Sequence, residues 1–349
     1  MSTTAESRQP VMSIRNLSVC FDTAHGPVHA VDDVSLDVGP GQTVGVVGES
    51  GCGKTTMALA TLGLLPQPAG RVTAGEVLVD GRDLLTLGRR ELCRVRGAEV
   101  AMVFQDPMSA LHPAQSILAQ VTEAVRTHAL DLSASAARER AVDLLELVGV
   151  ADARVRGRAY PHEWSGGMRQ RAMIAMAVAH RPRVLIADEP TTALDVTVQA
   201  QVLELLQKLQ DEHDLAIVLI SHDLGVIAEM ADRVVVMYAG QVVESSTATD
   251  VFARPRHPYT AGLLASLPRL DIEGERLDAI AGSPPNLSTR PSGCAFHPRC
   301  PLRQGRRRCV AEVPVLREIG GVGHCAACHY AEELHSGTGA TAVGVGVRP

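Results

Sequence analysis

Thr43-Val44-Gly45-Val46-Val47-Gly48-Glu49-Ser50-Gly51-Cys52-Gly53-Lys54-Thr55-Thr56 is the stretch that decides the fold. Its first five residues are apolar or β-favouring and read as a buried strand. Gly48 to Thr55 fits the pattern G-x-x-x-x-G-K-[ST], and a helical pattern runs on from residue 54 to 64. Strand, glycine-rich loop and helix in that order make a phosphate cradle. Glycines let successive backbone N–H groups converge on phosphate oxygens, and the helix N-terminus adds favourable partial charge. Lys54 is expected to reach the terminal phosphates as a compact point charge, and the Thr55 hydroxyl to hold Mg²⁺. Lysine is scarce here: Lys54 and Lys208 are the only two among 33 basic residues. A chain that uses Arg almost everywhere else keeps Lys in a loop where a planar guanidinium would not substitute.

Outward from this loop, apolar strands alternate with helical patterns. Strands are expected over residues 11–19, 28–38, 76–79, 100–104, 184–187, 215–220 and 233–237, and helices over 116–150, 166–179 and 196–210. Ser133 is placed to cap an Ala-rich helix inside the first helical stretch. This alternation argues for an α/β fold with a mostly parallel sheet. The strand at 184–187 ends in Asp188-Glu189, at the strand edge where such folds place ligands. Asp188 is expected to support Mg²⁺ and Glu189 to polarise an attacking water. Ser165-Gly166-Gly167 opens a helix and makes a second candidate anion site, or a simple N-cap.

The order of motifs is the phosphate loop, Phe104-Gln105-Asp106, Ser165-Gly166-Gly167, Asp188-Glu189, Ala193-Leu194-Asp195 and Ser221-His222-Asp223. Over residues 11–248 this resembles the nucleotide-binding subunit of ATP-binding cassette (ABC) transporters. It is most similar to the ATPase subunits of bacterial oligopeptide/dipeptide importers, through Pro161-His162-Glu163-Trp164-Ser165-Gly166-Gly167-Met168-Arg169-Gln170-Arg171 and Arg256-His257-Pro258-Tyr259-Thr260. The resemblance implies a P-loop ABC nucleotide-binding domain over 11–248. That domain has a RecA-like α/β core, an antiparallel β part and a helical subdomain at about 106–180. A small cysteine-rich extension over 249–335 and a disordered tail over 336–349 complete the expected organisation.

By the same resemblance ATP binds to Gly48, Ser50, Gly51, Cys52, Gly53, Lys54, Thr55 and Thr56. Thr55, Gln105 and Asp188 serve Mg²⁺, and Glu189, His222 and Gln105 are catalytic. Ser165, Gly166 and Gly167 contact ATP held by an opposing subunit, and Asp195 sits across that interface. The family also stacks an upstream aromatic on adenine; Phe21, the only aromatic before residue 104, is the candidate, with a plain strand Phe as the alternative. Implied partners are a second, often non-identical ATPase subunit, two transmembrane permease subunits and, indirectly, an extracytoplasmic solute-binding protein. The loop after Gln105, over 106–128, is where a permease helix is expected to dock. Trp164 stands where the family usually has Leu, and is expected to pack on the helical subdomain or the partner.

Five of the eight cysteines fall late in the chain, at Cys294, Cys300, Cys309, Cys325 and Cys328. In a reducing compartment such clustering points to a metal site more than to disulfides. Zinc, an iron–sulfur cluster and no metal at all are the three readings left by the spacing. Similar extensions in the peptide-importer group include ones that bind a [4Fe–4S] cluster, which favours Cys294, Cys300, Cys309 and Cys328 as ligands. Cys325 departs from that spacing. Six arginines and no acid lie between Arg290 and Arg308, a positive surrounding for a thiolate-ligated cluster.

Composition narrows the classes. The chain has 349 residues, 46% of them hydrophobic and 21% charged, which excludes a wholly disordered or small disulfide-knit protein. Its net charge of −6 disfavours binding to nucleic acid through a basic surface. No run reaches the roughly 18 apolar residues of a membrane span, and no signal-like apolar region opens the chain. A place on the cytoplasmic face of the membrane, held there by permease subunits, is therefore expected. Import of nickel or another small solute, and a soluble non-transport ABC ATPase, are the alternative readings, because a cassette does not touch cargo.

Overall fold

The computed structural model describes residues 9–266 and 280–335. The expected disordered tail over 336–349 lies outside the described residues, as do positions 1–8. The chain divides into two compact units, each assembled from several stretches of sequence.

The first unit contains residues 79–220 and short pieces near the start of the chain. Its sheet strands are Val100–Val103, Val184–Asp188 and Ala216–Ile220, all parallel, with Met102 opposite Ile186 and Ile186 opposite Val218. Every residue of the latter two strands is buried, which is why they read as unbroken apolar runs. The single helical stretch expected over 116–150 is two helices, Ile117–His128 and Ala134–Leu147. Ser116 and Ser133 cap them by accepting the N–H groups of Ala119 and Ala136. The helices pack through Ile117, Leu118, Val121 and Val125 on one and Ala137, Ala141, Val142 and Leu145 on the other. Gly166–Ala177 and Val196–His213 complete the helices that matter for the site.

The second unit contains residues 13–37, 43–78 and the chain from 221 onward. Thr43–Val47 pairs in parallel with Arg233–Tyr238, which pairs antiparallel with Gln241–Thr247. Two short strands, Arg317–Glu318 and Cys325–Ala326, continue that edge, with Ser245 opposite Cys325. A further sheet sets Gly26–Val38, Met12–Thr23 and Gly70–Val79 side by side. The register of the Gln241–Thr247 strand slips between Val242 and Glu244. This bulge accompanies a fully buried Glu244 carboxylate.

Among the described residues no helix is long and apolar enough to cross a membrane.

Candidate nucleotide site

In the second unit the Thr43–Val47 strand delivers the chain into the loop, and Lys54 starts the helix Lys54–Thr61. Gly53 holds a φ of +105°, and a Cβ there would sit 2.3 Å from the Ala30 carbonyl. At Gly48 a Cβ would lie 2.2 Å from the Met237 carbonyl. Both positions require glycine, so the motif's two fixed glycines are explained by backbone approach. Lys54 is buried and its Nζ donates to the carbonyls of Gly48 at 2.7 Å and Glu49 at 3.1 Å. The ammonium is thus folded into the loop it would serve. Ser50, Gly51 and Thr55 are exposed and Thr56 half-buried, whereas Cys52 is buried and burial pushes its thiol up. His222 is exposed directly after Ser221, whose N–H donates to the Val46 carbonyl at 3.2 Å, two residues before the loop begins. Phe21 is half-buried, with its ring against Gly70, where a Cβ would come within 2.8 Å of it.

The first unit brings other expected residues together. Asp188 ends its strand at 1% exposure. Glu189 follows in a left-handed conformation at φ +47° while its N–H donates to the Ile220 carbonyl at 2.8 Å. A non-glycine residue held there carries backbone strain of the kind that collects at functional sites. The turn leaves its carboxylate to accept from Gln105 Nε2 at 2.7 Å and the Thr192 hydroxyl at 2.9 Å. Gln105 and Glu189 are 84 residues apart in sequence, and the structure puts them in direct contact.

Ser165 caps the helix that follows it, accepting from Met168 N at 3.3 Å, and its hydroxyl stands exposed with Gly166. Gly167 packs against the next helix, for a Cβ there would come within 2.3 Å of Val198. Asp195 caps that helix through Val198 N at 3.0 Å. Trp164 is buried within its own chain, and its indole N–H donates to the Arg156 carbonyl at 3.3 Å. It is therefore not available to a partner subunit. Around Gln105, Phe104 and Met108 expose 36% and 44% of their surface on either side of Asp106, which caps the short helix Pro107–Ala110.

Sequence reasoning missed the contribution of the late residues to the loop. Glu49 lies inside the glycine pattern as an unassigned position. Its N–H donates to the Tyr259 hydroxyl at 2.8 Å, and its carboxylate accepts from both terminal nitrogens of Arg299, at 2.7 and 2.9 Å. A cavity of about 310 Å³ opens beside it, lined by Glu49 to Cys52, Tyr238 and residues 284–287. The only local signal was a Tyr and an Arg in a chain poor in aromatics and rich in Arg, which is no signal at all.

All eight cysteines are free thiols. Burial pushes up the thiols of Cys294, to about 11, of Cys300, and of Cys328, to about 12, and each of the three also feels neighbouring thiols, Cys309 among them. Cys325 stands apart, facing Glu318 and Arg233 instead. Backbone bonds tie Cys294 N to the Cys309 carbonyl at 2.9 Å and His297 N to the Cys294 carbonyl at 2.9 Å. The expected metal site does not appear in closed form. Among the described residues no group of three or more His, Cys, Asp or Glu side chains is arranged to hold a metal ion.

Comparison with known proteins agrees with this geometry. Residues 31–192 match the ABC transporter family, and residues 243–309 match the oligopeptide/dipeptide transporter C-terminal region. The dipeptide transport ATP-binding protein DppD of Bacillus subtilis is 50% identical, over 84% of this chain and 88% of that protein. The oligopeptide transport ATP-binding protein OppD of the same organism is 50% identical, over 82% of this chain and 80% of its own. A putative peptide import ATP-binding protein of Brucella melitensis is 48% identical, over 90% of this chain and 95% of that one. Among solved structures, the dimeric ABC transporter cassette MJ0796 is similar with a TM-score of 0.61 and 27% identity, over 68% of this chain and 98% of that one.

Proposed function

From the premise that this chain belongs to the ATP-binding subunits of the oligopeptide/dipeptide ABC importers, and is an ATP-hydrolysing subunit of such a transporter, we propose how its residues divide the work. Gly48 and Ser50 to Thr56 bind the phosphates, with Lys54 turning from its loop carbonyls to the β/γ-phosphates. Glu189 is the base that orients and polarises the attacking water. Gln105 holds that carboxylate and reports the state of the site to the permease. His222 contacts the γ-phosphate, and Phe21 stacks on adenine.

Mg²⁺ suits the oxygen donors of Thr55, Gln105 and Asp188, and when bound it neutralises charge on the transferring phosphoryl group. Ser165, Gly166, Gly167 and Asp195 complete the site of an opposing cassette, so two cassettes enclose ATP between them. A similar but non-identical ATPase subunit is the proposed partner. Exposed Phe104 and Met108 support docking of a permease helix over residues 106–128. The chain is then held at the cytoplasmic face of the membrane by two permease subunits, with a solute-binding protein acting beyond them. The proposed division is a cassette over 11–248, its helical part at about 106–180, and an extension over 249–335. Closure on ATP favours one permease conformation and hydrolysis releases it, a population shift driven by differential binding.

The observation that carries the catalytic assignment is the Glu189 carboxylate, set on a left-handed backbone and held by Gln105 and Thr192. Glu189→Gln is expected to lower ATP hydrolysis by about 10²–10⁴ while ATP binding survives and ATP-bound dimers accumulate. Hydrolysis at the wild-type rate in that variant refutes the assignment.

For the thiols we propose a [4Fe–4S] cluster at Cys294, Cys300, Cys309 and Cys328. Its support is that Cys294, Cys300 and Cys328 feel the charge of neighbouring thiols in this set, that Cys294 N bonds the Cys309 carbonyl, and that Cys325 feels Glu318 and Arg233 instead. Iron and sulfide analysis of anaerobically purified full-length protein is the test. Zinc in their place, or neither metal, ends the proposal.

A further inference from the structure

The phosphate loop carries an acid, Glu49, at the second position of its glycine pattern, within the segment that serves an anionic nucleotide. A free carboxylate there would repel the triphosphate. It is not free. Arg299 meets it fork to fork at 2.7 and 2.9 Å, and the Arg299 side chain is only 6% exposed. Such a bidentate pair fixes orientation as well as charge. Arg299 is held in turn by the Ala281 carbonyl at 2.9 Å and the Tyr238 hydroxyl at 3.3 Å. Its guanidinium lies 5.9 Å from the ring centres of both Tyr238 and Phe296. Tyr259, beside those rings, accepts the Glu49 N–H. The loop acid is therefore anchored at backbone and side chain by residues far downstream. The turn bearing Arg299, His297–Arg299, lies between Cys294 and Cys300.

We infer that Arg299 is a positioning residue for ATP binding: it neutralises Glu49, fixes the loop, and makes the cysteine-bearing extension part of the nucleotide site. This rests on the ATPase reading above and deepens it. Arg299 touches no substrate; it acts through Glu49. The charge argument gives a sign that simple loss of packing would not. Removing Arg299 leaves an unpaired carboxylate in the phosphate site, and removing that carboxylate as well relieves the repulsion.

The test is a double-mutant cycle on the full-length chain, with ATP affinity measured by titration at low and high salt and unfolding midpoints measured in parallel. Arg299→Gln is expected to weaken ATP binding about tenfold, less so at high salt, where the free carboxylate is screened. Arg299→Lys is expected to fall between the two, because an ammonium neutralises but does not fork. Arg299→Gln combined with Glu49→Gln is expected to bind ATP more tightly than Arg299→Gln alone. Wild-type affinity in Arg299→Gln, or additive losses in the double variant, overturns the inference. If Arg299→Gln fails to fold, Arg299→Met against Arg299→Met with Glu49→Gln gives the same comparison, because Met also removes the charge while its apolar chain fits between the Tyr238 and Phe296 rings. Failure of the unsubstituted chain to bind ATP at all would instead refute the ATPase reading.

Discussion

His257 turns acid sensitivity into a measurable signature of the way the extension is packed. It is 1% exposed at the N-terminus of the helix Pro258–Ala265, and its Nδ1 accepts the Tyr259 N–H at 3.1 Å. Its own N–H donates to the Glu244 carboxylate at 2.9 Å, and its ring lies against Phe296. Burial depresses the imidazole from 6.5 to about 3, opposed only by a backbone bond to Ala327. The folded state therefore keeps the ring neutral while the unfolded chain takes up a proton below 6.5. Stability from this group is full above pH 6.5 and is lost as pH falls towards 3. Linkage puts the loss at about 2 kcal/mol by pH 5, against about 0.2 kcal/mol at pH 7. The assay is urea unfolding of wild type and His257→Asn at a series of pH values. Asn retains a cap acceptor and does not titrate, so it shifts stability by a constant at all pH values. Other titrating groups are common to both proteins and cancel in the difference. The wild-type advantage over His257→Asn should shrink by about 2 kcal/mol between pH 7 and pH 5. A difference that stays constant over that range refutes the buried neutral state of His257.

Two further outcomes follow from close packing. Gly53→Ala should cost about 1–3 kcal/mol in unfolding free energy, since φ is +105° and the added methyl meets the Ala30 carbonyl at 2.3 Å, and nucleotide titration should show ATP affinity falling with it. Glu244→Gln should cost about 1–3 kcal/mol in urea unfolding at pH 7, because its carboxylate accepts from Arg256 N, His257 N and His324 Nε2, and an amide NH₂ would face one of those donors.

The parallel strands and the phosphate loop were legible because their chemistry is local. Val184–Asp188 and Ala216–Ile220 are buried throughout, so their composition alone marks them, and the glycine positions of the loop are dictated by the backbone they permit. The break between Ile117–His128 and Ala134–Leu147 was half visible, in the Ser133 cap. What stayed hidden depends on partners distant in sequence. Gln241–Thr247 carries Glu244, Ser245 and Ser246, and so does not read as a core strand. Its Glu244 is tolerated because His324, 80 residues on, meets it. Glu49 looked like filler within a motif because its partner lies 250 residues away. Resemblance to a family implied roles for Gln105 and Glu189 separately but not the bond between them, and the left-handed turn that aims Glu189 is written in no local pattern.

Those hidden contacts share a direction. Arg299 on Glu49, Tyr259 on the Glu49 N–H, and His324 on Glu244 each join the late chain to the loop or to a strand of its sheet. Tyr238, Tyr259 and Phe296 fill the space between them, with ring centres 4.5 to 5.4 Å apart. Aromatic rings are scarce in this chain, so three of nine in one cluster is a concentration of its largest apolar groups at this joint. A loosely attached appendage would leave Tyr238 and Glu244 serviceable without it. Here both are buried by residues beyond 255, and removing those residues would expose an apolar ring and strip a carboxylate of its donors. The extension therefore belongs to the folding unit of the phosphate loop, and a change in the geometry of its thiols has a short covalent path, Cys300 to Arg299, to the acid that lines the loop.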